Sequence, residues 1–287
     1  MPMNNMESVN SNKPLVSVII GCYNHGDFIA EAVQSVKSQT YTNWELVIVE
    51  DGSTDGRTPA QVDRLRADNI KVIHTENKGL PSARNTAIRN ARGDLILPLD
   101  ADDKIAPDFL EKTVPRLLGD SSVGVVGTYT KVFGYEDWTA EPEFDIEKFI
   151  IENQITATSL FRKADWEKVG GYLEDYKAME DYALWLAMLN EGKTIEIVPE
   201  YLFFYRKHKP QGPVRAHSLR SINQELELEL RLKLVEKFPK LYAQHLDALV
   251  KYQHSLKWHL HYLEQQKSIT YFLYNVLSKL KRLLVKN

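Results

Sequence analysis

Apolar residues first gather in "PLVSVII" (Pro14 to Ile20), a short run rich in β-branched residues that ends at the turn cluster "GCYNHGD". A continuous run of that length predicts a buried parallel strand. The spacing then changes, and Ile29, Val33 and Val36 recur at steps of three and four through "FIAEAVQSVKSQ", which predicts a helix. "ELVIVE" (Glu45 to Glu50) is a second apolar run, closed by "DGSTDG". A short helix around Val62 and Leu65, a strand "IKVIH", a helix "LPSARNTAIRNA" and a strand "DLILPL" continue the alternation. Strands alternating with helices predict the α/β class: a doubly wound, mostly parallel sheet flanked by helices, with ligands bound beyond the carboxyl ends of the strands. The polar clusters "YNHGD", "EDGSTD" and "DADD" all follow strand ends, so they should converge on one crevice.

From about Asp108 to Tyr205 the signals mix. A helix near "FLEKTVPRLL", a strand "VGVVGTYTKVFG", an acidic loop "YEDWTAEPEFD", a helix across "EDYALWLAMLNEG" and a short strand "TIEIVPEYLFFYR" predict an α+β half that completes the same domain. Beyond His217 the pattern turns helical. "ELELELRLKL" places leucines at 226, 228, 230, 232 and 234, a period of two that formally fits an exposed strand. Glu, Leu, Lys and Arg are strong helix formers, however, and 226, 230 and 234 line one helical face, so a helix is predicted. In the tail, Ile269, Phe272, Leu273, Val276, Leu277, Leu280, Leu283 and Leu284 form an apolar stripe with Lys279, Lys281, Arg282 and Lys286 near its end. Such a stripe must meet the main domain, another copy of the chain, or a lipid surface.

Composition narrows the function classes. Against 36 basic side chains stand 39 acidic ones, a net charge of -3 that argues against a general nucleic-acid binder. The single cysteine, Cys22, excludes an internal disulfide framework, fits a reducing compartment and reads as a small buried residue. "MPMNNMESVNSNKP" lacks the apolar core of a signal peptide, and no run approaches the roughly 18 apolar residues of a spanning helix. A cytoplasmic protein, soluble or peripheral at the inner face of a membrane, is the expectation.

The candidate chemistry starts at "LILPLDADDKI", where Asp100, Asp102 and Asp103 repel one another unless a positive group sits among them. Carboxylates one residue apart after a strand can aim at one point, and hard cations prefer oxygen ligands. Asp100 and Asp102 are therefore candidate ligands of Mn²⁺ or Mg²⁺, ions that also take substrate phosphates and waters. The plainer alternative is an acidic turn whose Asp103 or Asp108 caps the helix beginning near Pro107. In "VEDGSTDG", Glu50 and Asp51 could accept from a uracil imide or a ribose hydroxyl, or could belong to a solvated turn. "NKGLPSARNTAI" sets Lys78 and Gly79 before a helix and Arg84 in its first turns, supplying donors and positive charge suited to a nucleotide. The acids of "MEDYALW" could equally complement a helix N-terminus.

Together, "VSVIIGCYNHGDFIAEAVQSVKSQTYTNWELVIVEDGSTDG", "NKGLPSARNTAIRNARGDLILPLDADD", "GGYLEDYKAMEDYALWLAML" and "FYRKH" resemble the consecutive motifs of glycosyltransferase family 2, over roughly residues 14 to 217. The resemblance implies a GT-A fold for a catalytic domain (14–217), which the composition sets between a flexible start (1–13) and a helical C-terminal region (218–287). It assigns the nucleotide to Tyr23, Asn24, Asp51 and Arg84 and a Mn²⁺ or Mg²⁺ ion with the donor diphosphate to Asp100, Asp102 and His208; Glu50 and Lys78, from the reading above, and Ala101, between the two aspartates, join Asp100 as nucleotide-sugar-binding candidates. The segment after His208, "KPQGPVRAHS", is longer than the family's usual turn and brings His217 in as a second candidate. Asp181 is the implied general base, with Glu180 orienting the acceptor or holding a basic neighbour. The implied reaction is inverting transfer from a nucleotide-diphosphate sugar, most often UDP-linked, to a hydroxyl of a glycan, lipid-linked or envelope polymer acceptor.

A nucleotidyltransferase is the competing enzyme, but "GCYNHGD" lacks its Gly-rich basic triphosphate loop; a decayed binding module is disfavoured because Asp100, Asp102 and Asp181 are all present. Membrane spans and a "QxxRW" segment are absent, which favours single additions. Trp138, Trp166, Trp185, Tyr172 and Tyr176 could supply a sugar platform, though in a domain of this size most of them should be core.

Overall fold

The computed structural model describes residues 13–176, 178–209, 224–251 and 276. The alternating first half folds as predicted: β1 (Val16–Cys22), α1 (Gly26–Lys37), β2 (Trp44–Asp51), α2 (Thr58–Asp63), β3 (Ile70–Thr75), α3 (Leu80–Arg89) and β4 (Leu95–Pro98). β1 pairs in parallel with β2 on one side and β4 on the other, and β2 pairs in parallel with β3. The sheet is buried on both faces, which is why its strands read as unbroken apolar runs and not as alternations. Because chain order reverses at β1, the ends of β1, β2 and β4 open a crevice there. The three polar clusters that follow those strands meet at it.

The second half adds β5 (Lys104–Ile105), α4 (Phe109–Gly119), β6 (Val123–Gly134), β7 (Trp138–Ala140), α5 (Ile146–Phe149), β8 (Leu160–Arg162), α6 (Lys163–Val169), α7 (Glu180–Asn190) and β9 (Thr194–Lys207). These strands extend the same sheet in the order β3-β2-β1-β4-β8-β6-β9-β5, with β7 paired to β6. Two expectations change. The strand foreseen as short is a 14-residue element, kept in register with β6 by irregularities near Thr128 and Tyr129. The acidic segment foreseen as a loop contains β7, a three-residue strand too brief to show a period.

Beyond the sheet, α8 (Gln224–Lys237) and α9 (Pro239–Gln244) confirm that the leucine-rich segment is helical. Leu230 and Leu234 are buried, whereas Leu226 is exposed, so the apolar stripe begins later than its spacing suggested. Of the tail, only Val276 is described. It is helical and fully buried in the cluster that includes Leu234, Phe238, Tyr242 and the α7 residues Tyr182 and Trp185. The remainder of the predicted stripe, the N-terminal residues 1–12 and His217 lie outside the described residues. No helix among the described residues is long and apolar enough to cross a membrane.

Candidate active site

The loops after β1 and β2 are stitched together by neutral hydrogen bonds. Asn24, one of two non-glycine residues with positive φ among the described residues, accepts the Thr54 and Asp55 N–H groups on Oδ1 at 2.8 and 3.1 Å. Its own N–H donates to Ser53 Oγ at 2.9 Å. Asn tolerates this left-handed conformation better than most residues, which suits it to the turn. Asp51 is buried and accepts from the N–H groups of Lys78 (3.1 Å) and Gly79 (2.9 Å) and from Thr75 Oγ1 (3.1 Å). Glu50, also buried, accepts from Ser53 N–H at 2.6 Å and faces His74 Nδ1 at 3.2 Å. The two carboxylates thus fasten the loop walls, while the Tyr23 ring and the Lys78 side chain reach solvent at the rim.

A charged clamp crosses the crevice. Helix α3 packs Ala83, Ala87 and Ile88 into the core and carries Arg84 inward to 2% exposure. The guanidinium donates through Nη2 to Asp100 Oδ1 and through Nη1 to Glu180 Oε1, each at 2.6 Å. It joins the loop after β4 to the first turn of α7, two segments 80 residues apart in sequence. The fork geometry suits arginine, whose planar donors can serve two carboxylates at once. The Tyr172 ring lies 5.6 Å from the guanidinium, and the Asn85 amide fixes that tyrosine's main chain by accepting its N–H and donating to its C=O, both at 2.9 Å.

Asp181 follows Glu180 and is partly buried. Loss of hydration, with the neighbouring Glu180 charge adding to it, pushes its carboxyl up to about 7, while Arg84 and the Tyr182 N–H pull the other way. Asn153 Nδ2 donates to Asp181 Oδ2 at 3.1 Å and Tyr182 N–H to Oδ1 at 2.7 Å. The residue before the pair, Met179, has φ 62, the second left-handed non-glycine position. Such a conformation costs about 1 kcal/mol or more, and here it sits at the start of the helix that presents both acids.

On the other flank, Asp102 Oδ2 lies 2.7 Å from His208 Nε2. The His208 ring packs edge-on against Phe28 at 4.8 Å and stacks at 6.2 Å on His25. Arg206 donates from Nε to the Asp102 carbonyl and from its own N–H to Asp103 Oδ1, both at 2.7 Å, and pairs with Glu31 at 2.9 Å. Asp103 is almost wholly buried, and burial together with the Asp100 and Asp102 charges holds its carboxyl well above the usual range. Asp108 occupies the N-cap position of α4 but its side chain caps nothing; it pairs with Lys112 at 2.7 Å. The three clustered aspartates therefore have three different partners: a guanidinium, an imidazole and a main-chain N–H.

The donor set of Asp102 and His208, one carboxylate oxygen and one imidazole nitrogen, fits a divalent ion such as Mn²⁺ that draws further ligands from phosphates and water. Among the described residues no group of three or more acidic, histidine or cysteine side chains forms a complete cage, and Asp100 gives one oxygen to Arg84.

The structure brings Arg84, Asp100 and Glu180 together at the clamp, with Asp181 next to Glu180, and Asp102 and His208 together on the other flank, while Ala101 is buried between the two aspartates. Asn153 and Arg206 were not foreseen as site residues. Arg206 carried a faint signal, since it stands two positions before His208, but an asparagine in an irregular loop gives none. Of the aromatic residues considered for a sugar platform, Trp166, Trp185, Tyr172 and Tyr176 are buried and Trp138 is exposed.

A mixed sheet with an acidic crevice at its topological switch point, closed by a helix that begins with two acids, defines a GT-A type α/β transferase. Residues 17–185 match the family described as Glycosyl transferase family 2, and the chain belongs to that family. It is 35% identical over 189 residues to "Putative glycosyltransferase EpsE" of Bacillus subtilis (strain 168), covering 62% of this chain and 68% of that one. It is 33% identical over 208 residues to "Putative teichuronic acid biosynthesis glycosyltransferase TuaG" of the same organism, covering 68% and 79%. Other relatives are longer, and the match spans 19% of the chondroitin synthase of Pasteurella multocida (strain Pm70). Among solved structures, S. aureus TarS 1-349 in complex with UDP-GlcNAc has a TM-score of 0.67 at 20% identity, covering 92% of this chain and 80% of that one. The mannosyltransferase PcManGT from Pyrobaculum calidifontis, in complex with GDP-Man and Mn2+, has a TM-score of 0.60 at 20% identity, covering 96% and 79%.

Proposed function

We propose that this glycosyltransferase moves a hexosyl or N-acetylhexosaminyl group from a nucleotide-diphosphate sugar, UDP-linked, to a hydroxyl of a glycan, lipid-linked or envelope polymer acceptor, with inversion at the anomeric carbon. The observation that carries this reading is the Arg84 clamp, which draws the loop of Asp100 and Asp102 and the helix of Glu180 and Asp181 to one point. Nucleotide-sugar complexes of fold neighbours and the matched family support the donor class.

In this reading the base and ribose lie along the β1 and β2 loops, against Tyr23, Asn24, Glu50 and Asp51, with Lys78 and Arg84 adding positive charge beside the donor. Asp100, Asp102 and His208 would hold a Mn²⁺ or Mg²⁺ ion, which would supply positive charge for the departing diphosphate. Asp181 takes the proton of the acceptor hydroxyl as that oxygen attacks the sugar carbon. A carboxyl brought up to about 7 is a stronger proton acceptor than an ordinary aspartate and is still ionised in about half of the molecules near neutrality. Glu180, fixed by Arg84, orients the acceptor and keeps Asp181 from drifting toward the guanidinium. The nucleotide loops, being internally bonded, need little reorganisation when donor binds.

A panel of nucleotide sugars, each tested for protection against thermal unfolding with and without Mn²⁺, checks the proposal. A UDP-sugar should raise the melting temperature in a Mn²⁺-dependent way and be hydrolysed slowly without acceptor. Protection by nucleoside triphosphates alone, with pyrophosphate release from a sugar phosphate, would overturn it in favour of a nucleotidyltransferase.

A further inference from the structure

The segment that matches the family ends at residue 185, yet the helices beyond it touch the neighbourhood of Asp181. Arg231, on α8, donates from Nη1 to the main-chain carbonyl of Ile151. Ile151 belongs to the loop that leaves α5, and two residues on Asn153 accepts the Ile155 N–H on Oδ1 at 3.2 Å. That contact leaves the Asn153 Nδ2 group pointing at Asp181, to which it donates at 3.1 Å. A second connection reaches the same place. The Tyr182 hydroxyl, one residue after Asp181, donates to the Phe149 carbonyl at 2.6 Å, and the buried Tyr242 phenol of α9 lies beside it. Ile151, Phe149, Tyr182 and Tyr242 belong to one apolar cluster that also contains Leu234, Phe238 and Val276.

We infer that the C-terminal helices complete the active site: Arg231 and Tyr242 are positioning residues that hold the 149–153 loop and the start of α7 so that Asn153 meets the Asp181 carboxylate. The inference rests on the reading of Asp181 as the general base. It gives the extension a role within the reaction, since without Arg231 the Ile151 carbonyl loses its charged donor and the Asn153 amide is free to leave Asp181. A hydrogen bond given to a carboxylate favours its ionised form. Asn153 therefore opposes burial and the Glu180 and Asp100 charges, alongside Arg84 and the Tyr182 N–H.

The test needs no knowledge of donor or acceptor. The side-chain carboxyl carbon of Asp181 is followed by NMR as a function of pH in the full-length protein, its signal assigned by its disappearance in Asp181→Asn. Asn153→Ala should raise the titration midpoint by about one pH unit, the scale of one hydrogen bond to a charged group. Arg231→Leu, which keeps an apolar stem, should raise it in the same direction, Arg231→Lys should restore most of the wild-type value, and Arg231→Leu added to Asn153→Ala should move it no further. Tyr242→Phe, which removes only a hydroxyl, serves as the milder probe should Arg231→Leu fail to fold, and should give a smaller upward shift. A midpoint unchanged or lowered in Arg231→Leu or in its Tyr242→Phe substitute, or a shift that adds in full to that of Asn153→Ala, would overturn the inference. Full turnover in Asp181→Asn would instead remove the base assignment while leaving the positioning contacts standing.

Discussion

The two walls of the crevice are held by different physics. On the side of the β1 and β2 loops, the proposed nucleotide side, Asn24, Glu50 and Asp51 bind main-chain N–H groups of adjoining loops, so these donors are satisfied within the protein. On the acidic side, Arg84 sits with one guanidinium between Asp100 and Glu180, and Asp181 lies beside that pair with its proton affinity raised. The first wall tolerates loss of one bond among several. The second depends on charges that are buried together, where removing one partner strands the others. Shape is thus built locally and redundantly, whereas reactivity is concentrated in one non-redundant cluster.

Arg84→Met should break that contrast most severely. It leaves Asp100 and Glu180 without their shared cation and should cost about 3 kcal/mol or more, read by chemical denaturation, with loss of transfer. Asp181→Asn is nearly isosteric and should lower turnover at least about a hundredfold while donor affinity, measured by calorimetry, stays near wild type. A collapse of donor affinity there would move Asp181 from the chemistry to the binding wall. Because Asp181 titrates higher in the folded protein than in the unfolded chain, its linked stability is fully present below the unfolded value and is lost as pH rises through about 7. Denaturation midpoints of wild type should therefore fall more steeply over that range than those of Asp181→Asn.

On the nucleotide wall the effects shrink. Asp51→Asn replaces one of two acceptors facing the Lys78 and Gly79 N–H groups and should cost about 2 kcal/mol of stability. Asn24→Gly keeps the left-handed turn but gives up the bonds to Thr54 and Asp55, for a loss of about 1 kcal/mol and a modestly weaker donor affinity. An Asn24 variant as damaging as Arg84→Met would erase the distinction between the walls.

The same contrast explains what could be read from the chain. β1, β2 and β4 were legible because burial on both sheet faces imposes unbroken apolar runs, α3 because it follows such a run after a glycine and proline, and the turn clusters after those strands mark the crevice edge. β5, β7 and β8 have two or three residues each, too few to carry a period, and owe their strand geometry to neighbours. Asp100, Asp102, Glu180 and Asp181 announced themselves as acids at element ends. The partner shared by Asp100 and Glu180 was visible only as an arginine on a helix, since which carboxylates it meets is decided by how α3 and α7 pack. Asn153 and Arg231 carried no signal at all: a loop amide and a basic residue on an exposed-looking helix gain their meaning only from tertiary contact.

Asp181, beside the clamp, is proposed to accept the acceptor's proton. The pH dependence of kcat/KM for transfer, measured at saturating metal in wild type and in Asp181→Asn, tests it most directly. The account predicts an acid limb in the wild type with a midpoint near about 7, and a low rate without that limb in the variant. An acid limb that persists unchanged in Asp181→Asn, with turnover reduced less than about tenfold, would contradict it.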